Sequence, residues 1–185
     1  MGRLVYSTTT SLDGFINDEH GNFDWSTPSD EVHAFVNDAL RSIGTHLYGR
    51  RLYETMRAWE TLDREPGQPE VVYDFAGIWR AADKVVYSRT LSPDAITTAR
   101  TRLEATFDPA EVERLKARGN LLVGGAGLAS HAFAAQLVDE VHLYLAPVIV
   151  GAGTRALPGG VRTDLELVDE RRFENGTVYV RYLVR

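Results

Sequence analysis

Short runs rich in β-branched and aromatic residues alternate with helical-period segments along most of this chain, and a hairpin signature closes it. Residues 3–10, 45–48, 84–88, 121–123 and 141–150 read as strands, and 52–57, 71–82, 109–118 and 128–136 read as helices. Asn175-Gly176, between the runs 165–173 and 177–184, is the strongest hairpin signal present. Parallel strands need long crossovers, which helices supply, whereas a tight turn joins antiparallel neighbours. The order therefore predicts an α/β fold: a mostly parallel twisted sheet flanked by helices, with an antiparallel C-terminal hairpin. A length of 185 residues favours one domain over 1–185 and allows roughly 70% of the unfolded chain's surface to be buried.

Local signals fill in this frame. Thr27-Pro28-Ser29-Asp30 matches a capping box with Pro at the first helical position. Val32, Phe35, Val36, Ala39, Leu40 and Ile43 follow at helical spacing, and Gly44 is the expected stop. Pro147 inside the run 141–150 points to an edge or bulged strand, because proline cannot donate to a ladder. Ser11 to Trp25 is a long polar loop, a length typical of a functional lid.

Composition narrows the chemistry. There is no cysteine, which excludes disulfides, thiol nucleophiles and cysteine-based zinc sites. His33, His131 and His142 lack convincing partners, so no metal is expected. The net charge of −6 argues against nucleic-acid or anionic-membrane partners, so any anion site must be a local cluster. Neither a secretory leader nor a membrane-length apolar run is visible, and a cytoplasmic location is the expectation.

Three such clusters follow three strands, the position where ligands bind in sheets of this kind. Gly49-Arg50-Arg51 opens a helix, where cations oppose the dipole unless an anion intervenes. Ser88-Arg89 offers a hydroxyl and a guanidinium fork suited to a phosphate monoester. Gly124-Gly125-Ala126-Gly127 joins a strand to a helix with a backbone that a phosphate can approach. Singly, each reads as surface polarity or a tight turn; together they point to a dinucleotide phosphate site.

These residues resemble the dihydrofolate reductase fold, and more closely the reductase domains of riboflavin biosynthesis and the stand-alone proteins similar to them. The matching pieces are residues 11–16 (SLDGFI), 49–54 (GRRLYE), 86–89 (VYSR), 124–127 (GGAG) and 138–141 (VDEV) through Pro147 to Gly151-Ala152-Gly153. The resemblance covers residues 1 to about 155, and the terminal hairpin fits it. It implies an NADPH-dependent reductase acting on a pterin or on a ribosylamino-pyrimidine. Gly49, Arg50, Arg51, Ser88 and Arg89 would bind the phosphates of NADPH, with Gly124, Gly125, Ala126, Gly127 and Leu128 at the pyrophosphate. Thr9 and Ile16 would flank the nicotinamide, and Thr154 would make a minor contact. Asp13, Trp25 and Phe35 are expected near the substrate, with Asp13 positioning either the lid or the substrate. The proton-handling carboxylate would be Glu31 or Asp30. Glu31 borders the apolar stripe one turn before Phe35, whereas Asp30 lies nearly opposite it and has a role as capping-box acid. A small-molecule substrate and a homodimer are implied, with Pro147 to Gly153 at the subunit contact. No zinc deaminase half is present, since P-C-x-x-C needs cysteine. The alternative is an NADP(H)-binding protein that senses the nucleotide without turnover.

Overall fold

The computed structural model describes all residues from Met1 to Arg185. Eight strands form one sheet: β1 (Leu4–Ser11), β2 (Ile43–Gly49), β3 (Asp83–Tyr87), β4 (Thr101–Glu104), β5 (Asn120–Gly124), β6 (Glu140–Ala146), β7 (Leu165–Arg172) and β8 (Val178–Val184). Their order across the sheet is β4-β3-β2-β5-β1-β6-β8-β7, parallel up to β6, after which β8 and β7 run antiparallel. Five helices connect or flank them: α1 (Asp30–Leu40), α2 (Arg50–Met56), α3 (Glu70–Ala81), α4 (Pro109–Lys116) and α5 (Ala126–Ala134). None is long and apolar enough to cross a membrane.

The period of two in a strand explains why both faces are covered. Leu4 and Tyr6, Leu121 and Val123, and Val85 and Tyr87 join Val112, Leu115, Leu128 and Phe133 of α4 and α5 in one core. The intervening Val5, Leu122 and Val86 join Leu40 of α1, Tyr53 of α2 and Phe75 and Trp79 of α3 in the other. A third cluster joins Val32 of α1 to Tyr144, Phe173 and Tyr179, and Phe35 packs against it. Beside that cluster a buried polar chain ties β6 to β8. Tyr179 Oη lies 3.2 Å from His142 Nδ1, and His142 Nε2 lies 3.0 Å from Glu140 Oε2. Glu140 also pairs with Arg3.

Several sequence expectations need correction. The cap of α1 is Ser29, whose Oγ accepts the Val32 N–H at 3.4 Å, so Asp30 is the first helical residue and Pro28 precedes the cap. The helix ends at Leu40, and Ile43 and Gly44 already belong to β2. A single apolar residue at the right spacing cannot tell a last helical turn from the first buried strand position. β6 is interior, not an edge: it lies between β1 and β8 and stops at Ala146, before Pro147. Pro147 ends the ladder instead of bulging it. β4 was not foreseen, because a four-residue edge strand with Arg102 and Glu104 outward carries almost no apolar signal. The final turn spans three residues, with Phe173 N–H bonded to the Thr177 carbonyl and Gly176 at φ 85°.

Tyr6 links core and surface. Its side chain is fully buried, and its hydroxyl donates to the Ala156 carbonyl at 2.5 Å, fixing the segment that follows β6. Tyr6→Phe leaves that buried carbonyl unpaired and is expected to lower unfolding stability by about 1–3 kcal/mol in a urea titration. A change below about 0.5 kcal/mol, the range of an indifferent surface substitution, would mean that this bond does not hold the segment.

Candidate functional site

Parallel pairing brings the three anion-suited turns to one edge of the sheet. Tyr48 is in register with Gly124 and Gly49 with Tyr87, so the turns after β2, β5 and β3 emerge side by side. Arg50 reaches across them: its Nε bonds Glu54 at 2.8 Å and its Nη1 donates to Thr90 Oγ1 at 3.1 Å. Ser88 Oγ accepts the N–H groups of Thr90 and Leu91 at 3.2 and 3.0 Å, which shapes the turn after β3. Thr90 was missed from sequence, since nothing marks it before Arg50 is known to touch it. Arg51 and Arg89 are exposed and enter no ion pair.

The glycine turn is built for close approach. A Cβ on Gly124 would stand 2.5 Å from Leu52 Cδ2, and Gly125 has φ 85°. A side chain at the first would force Leu52 to move, and at the second it would be strained. At Gly127 no atom lies within 4 Å of such a Cβ, and no side chain caps α5. The N–H groups of Ala126, Gly127 and Leu128 therefore begin a helix with no protein partner to neutralise its positive end. A phosphate cradle needs open backbone, free N–H groups and nearby guanidinium groups, and the residues present fit it.

A second feature lies along the same edge, over β1 and β6. A cavity of about 180 Å³ is walled by Thr9, by Tyr144 and Ala146 of β6, and by Pro147. Trp25 to Pro28 and Val32 close it on the α1 side, and Asn175 and Thr177 of the hairpin turn close it on the other. Thr9 is in register with Tyr144, so both side chains rise from the same face of the sheet. The hairpin residues were not expected here. They arrive because β8 is antiparallel to β6: Leu145 pairs with Val178, so the chain enters β8 at the edge where β6 leaves. That signal was readable once β8 was assigned beside β6. Trp25 Nε1 is buried and has no hydrogen-bond partner. Burial pushes the Tyr144 phenol well above its ordinary value, so it is a protonated donor.

The two carboxylate candidates do not line this cavity. Both oxygens of Glu31 are engaged by the hairpin, one accepting from Arg171 Nη2 at 3.0 Å and the other from the Glu174 N–H at 3.1 Å. Asp30 is exposed. Phe35 also stays outside, stacked edge-on against Tyr144, Phe173 and Tyr179.

The long loop after β1 is an ordered, hydrogen-bonded structure. Asp13 accepts the Val150 and Gly151 N–H groups at 3.2 and 2.7 Å, so its carboxylate holds the segment after β6 and is not turned to a ligand. Ile16 N–H bonds the Thr154 carbonyl and the Thr154 N–H bonds Asn17 Oδ1, both at 2.9 Å. At Gly153, φ 140°, a Cβ would stand 1.9 Å from the Asn17 carbonyl oxygen. The two loops form a backbone clasp with Ile16 and Thr154 at its centre.

The chain belongs to the RibD C-terminal domain family, whose model matches residues 3–179. An uncharacterized Bacillus subtilis (strain 168) protein, YyaP, is 28% identical over 187 residues, covering 97% of this chain and 94% of that one. The fold is shared with a putative riboflavin biosynthesis protein from Shewanella sp. PV-4, at 18% identity, TM-score 0.75 and 99% coverage of both chains. A pyrimidine reductase-like protein from Corynebacterium diphtheriae superposes with TM-score 0.70 at 14% identity, over 100% of this chain and 92% of that one. A Thermotoga maritima diaminohydroxyphosphoribosylaminopyrimidine deaminase/5-amino-6-(5-phosphoribosylamino)uracil reductase gives 0.67 at 16% identity, and this chain spans 57% of it.

The clasp is testable through Asp13. The Ser11 hydroxyl, then the Gly151 and Val150 N–H groups, hold its carboxyl below the ordinary 3.8. A lowered carboxyl pKa means the clasp is fully formed above the ordinary value and is lost only as pH falls through the lowered one. At pH 7, Asp13→Ala is therefore expected to speed amide exchange at Val150 and Gly151 while leaving β1 and β5 amides protected. Unchanged exchange at both positions would show that the carboxylate does not hold the loop.

Proposed function

We propose that this RibD-type chain is an NADPH-dependent reductase that transfers hydride to a small heterocyclic substrate. The observation that carries the reading is the meeting, at one sheet edge, of Arg50, Arg51, Ser88 and Arg89 with the open Gly124–Gly127 turn, next to a separate cavity floored by Thr9. NADPH supplies the hydride when bound; the protein supplies binding and orientation. Arg51 and Arg89, the two guanidinium groups of this cluster without an acidic partner, are assigned to the 2′-phosphate, with Arg50 and Ser88 shaping the turn they stand on. Ala126, Gly127 and Leu128 offer N–H groups to the pyrophosphate. Thr9 and the clasped Ile16–Thr154 pair bound the region where reducing end and substrate meet.

Nucleotide titrations test the cofactor. Wild-type protein is expected to bind NADPH at least tenfold more tightly than NADH. Arg51→Ala with Arg89→Ala should weaken NADPH by roughly 100-fold or more, since each charge-assisted bond contributes about 1.5–3 kcal/mol, and should leave NADH nearly unchanged. Equal affinity for the two nucleotides in the wild type would overturn the reading.

A second reading, nucleotide binding without turnover, is favoured by one observation: no carboxylate lines the cavity. The two readings separate in a turnover assay. On the reductase reading the proton comes from solvent or a hydroxyl, so Glu31→Gln and Asp30→Asn should each keep NADPH oxidation within a few-fold of wild type. A loss of about 100-fold or more in either would return a general-acid role to that carboxylate.

A further inference from the structure

We propose that the substrate bound in the cavity beside Thr9 is a small ring that carries no phosphate or carboxylate. This rests on the reductase reading above and narrows its substrate class to unphosphorylated, uncharged heterocycles.

The cavity wall holds no Lys, Arg, His, Asp or Glu; its polar groups are hydroxyls, the Asn175 amide and the Trp25 indole. An ionised group buried without a counter-charge is strongly disfavoured, and phosphate sites answer this with guanidinium groups or convergent backbone N–H groups. The hairpin that supplies Asn175 and Thr177 does carry a cation, Arg171, but its charge is already used. It pairs with Glu31 at 3.0 Å and lies over the Phe35 and Phe173 rings at 5.2 and 4.9 Å. The arginine cluster that would suit a phosphate stands over β2 and β3, beyond β5, and the cofactor claims it. A net charge of −6 adds no attraction for an anionic substrate.

Size and hydrogen bonding agree with charge. A volume of about 180 Å³ falls below the roughly 300–1,000 Å³ typical for drug-sized ligands and matches a single or fused ring. Val32, Ala146, Pro147 and the Tyr144 ring give the apolar surface on which such a ring lies. Tyr144, whose hydroxyl stays protonated, adds a donor to this wall and no counter-charge for an anion.

The test compares matched pairs by calorimetry and tryptophan fluorescence, without nucleotide and again with saturating NADPH. One pair is a 5-amino-6-alkylaminouracil and its phosphoribosylamino counterpart; the other is dihydropterin and dihydrofolate, whose glutamate is charged. The uncharged member of each pair is expected to bind at least tenfold more tightly. Thr27→Arg, an exposed wall position given a cation, should raise affinity for the phosphorylated member about tenfold in a salt-sensitive way. Equal or tighter binding of the charged members by wild type overturns the proposal, as does failure of either neutral ring to bind. Failure of NADPH to bind overturns the cofactor reading instead and leaves the nucleotide-free comparison standing.

Discussion

Parallel pairing of β1 with β5 on one side and β6 on the other is the constraint on which the rest of this structure depends. Strands that run the same way send every connection out of the same edge, so the turns after β1, β2, β3, β5 and β6 crowd together whatever their sequences. The same geometry demands helices on both faces, which is why Leu4, Val5 and Tyr6 are all buried although they alternate in direction. Core and candidate site are therefore one consequence: the helices that cover the sheet start from the turns that meet at this edge.

Within that edge, the sheet separates two kinds of surface by strand position. β2, β3 and β5 carry arginines and open glycine backbone; β1, β6 and the hairpin carry hydroxyls, an amide and aromatic rings. The clasp between the loop after β1 and the segment after β6 makes the second half rigid. Asp13 occupies its carboxylate on backbone N–H groups, and Gly153 permits an approach that any side chain would block. A residue type that looked suited to ligand chemistry thus serves the shape of the site.

What was legible in the sequence follows from range. The strand–helix alternation, the Asn175-Gly176 turn and the three anion-suited turns are local patterns, and each was read near its true position. Ser29, not Thr27, capped α1, because two hydroxyl residues two apart offer equivalent caps and the choice is made by packing downstream. Pro147 was read as lying within a strand, though β6 ends one residue earlier, since the ladder partners that decide an end lie far away in sequence. The cavity over β1 and β6 was the least legible part. Tyr144, Asn175 and Thr177 meet Thr9 only through the β1–β6–β8 order, and nothing local to any of them announces a wall.

The carboxylate candidates show why a residue-by-residue transfer from a resemblance has to pass through geometry. Glu31 was favoured because it borders the apolar stripe of α1, and it does lie on the side facing the sheet's antiparallel end. That position brings it to Arg171 and the Glu174 N–H, a cation and a donor that both satisfy a fixed negative charge. A group that must give up a proton is better served by an environment that penalises charge, as burial does for Tyr144. The hairpin thus keeps Glu31 out of the cavity by tying both of its oxygens outside. With Arg171 neutralised in the same contact, the cavity is left without a charge of either sign, its wall made of apolar surface, hydroxyls and an amide.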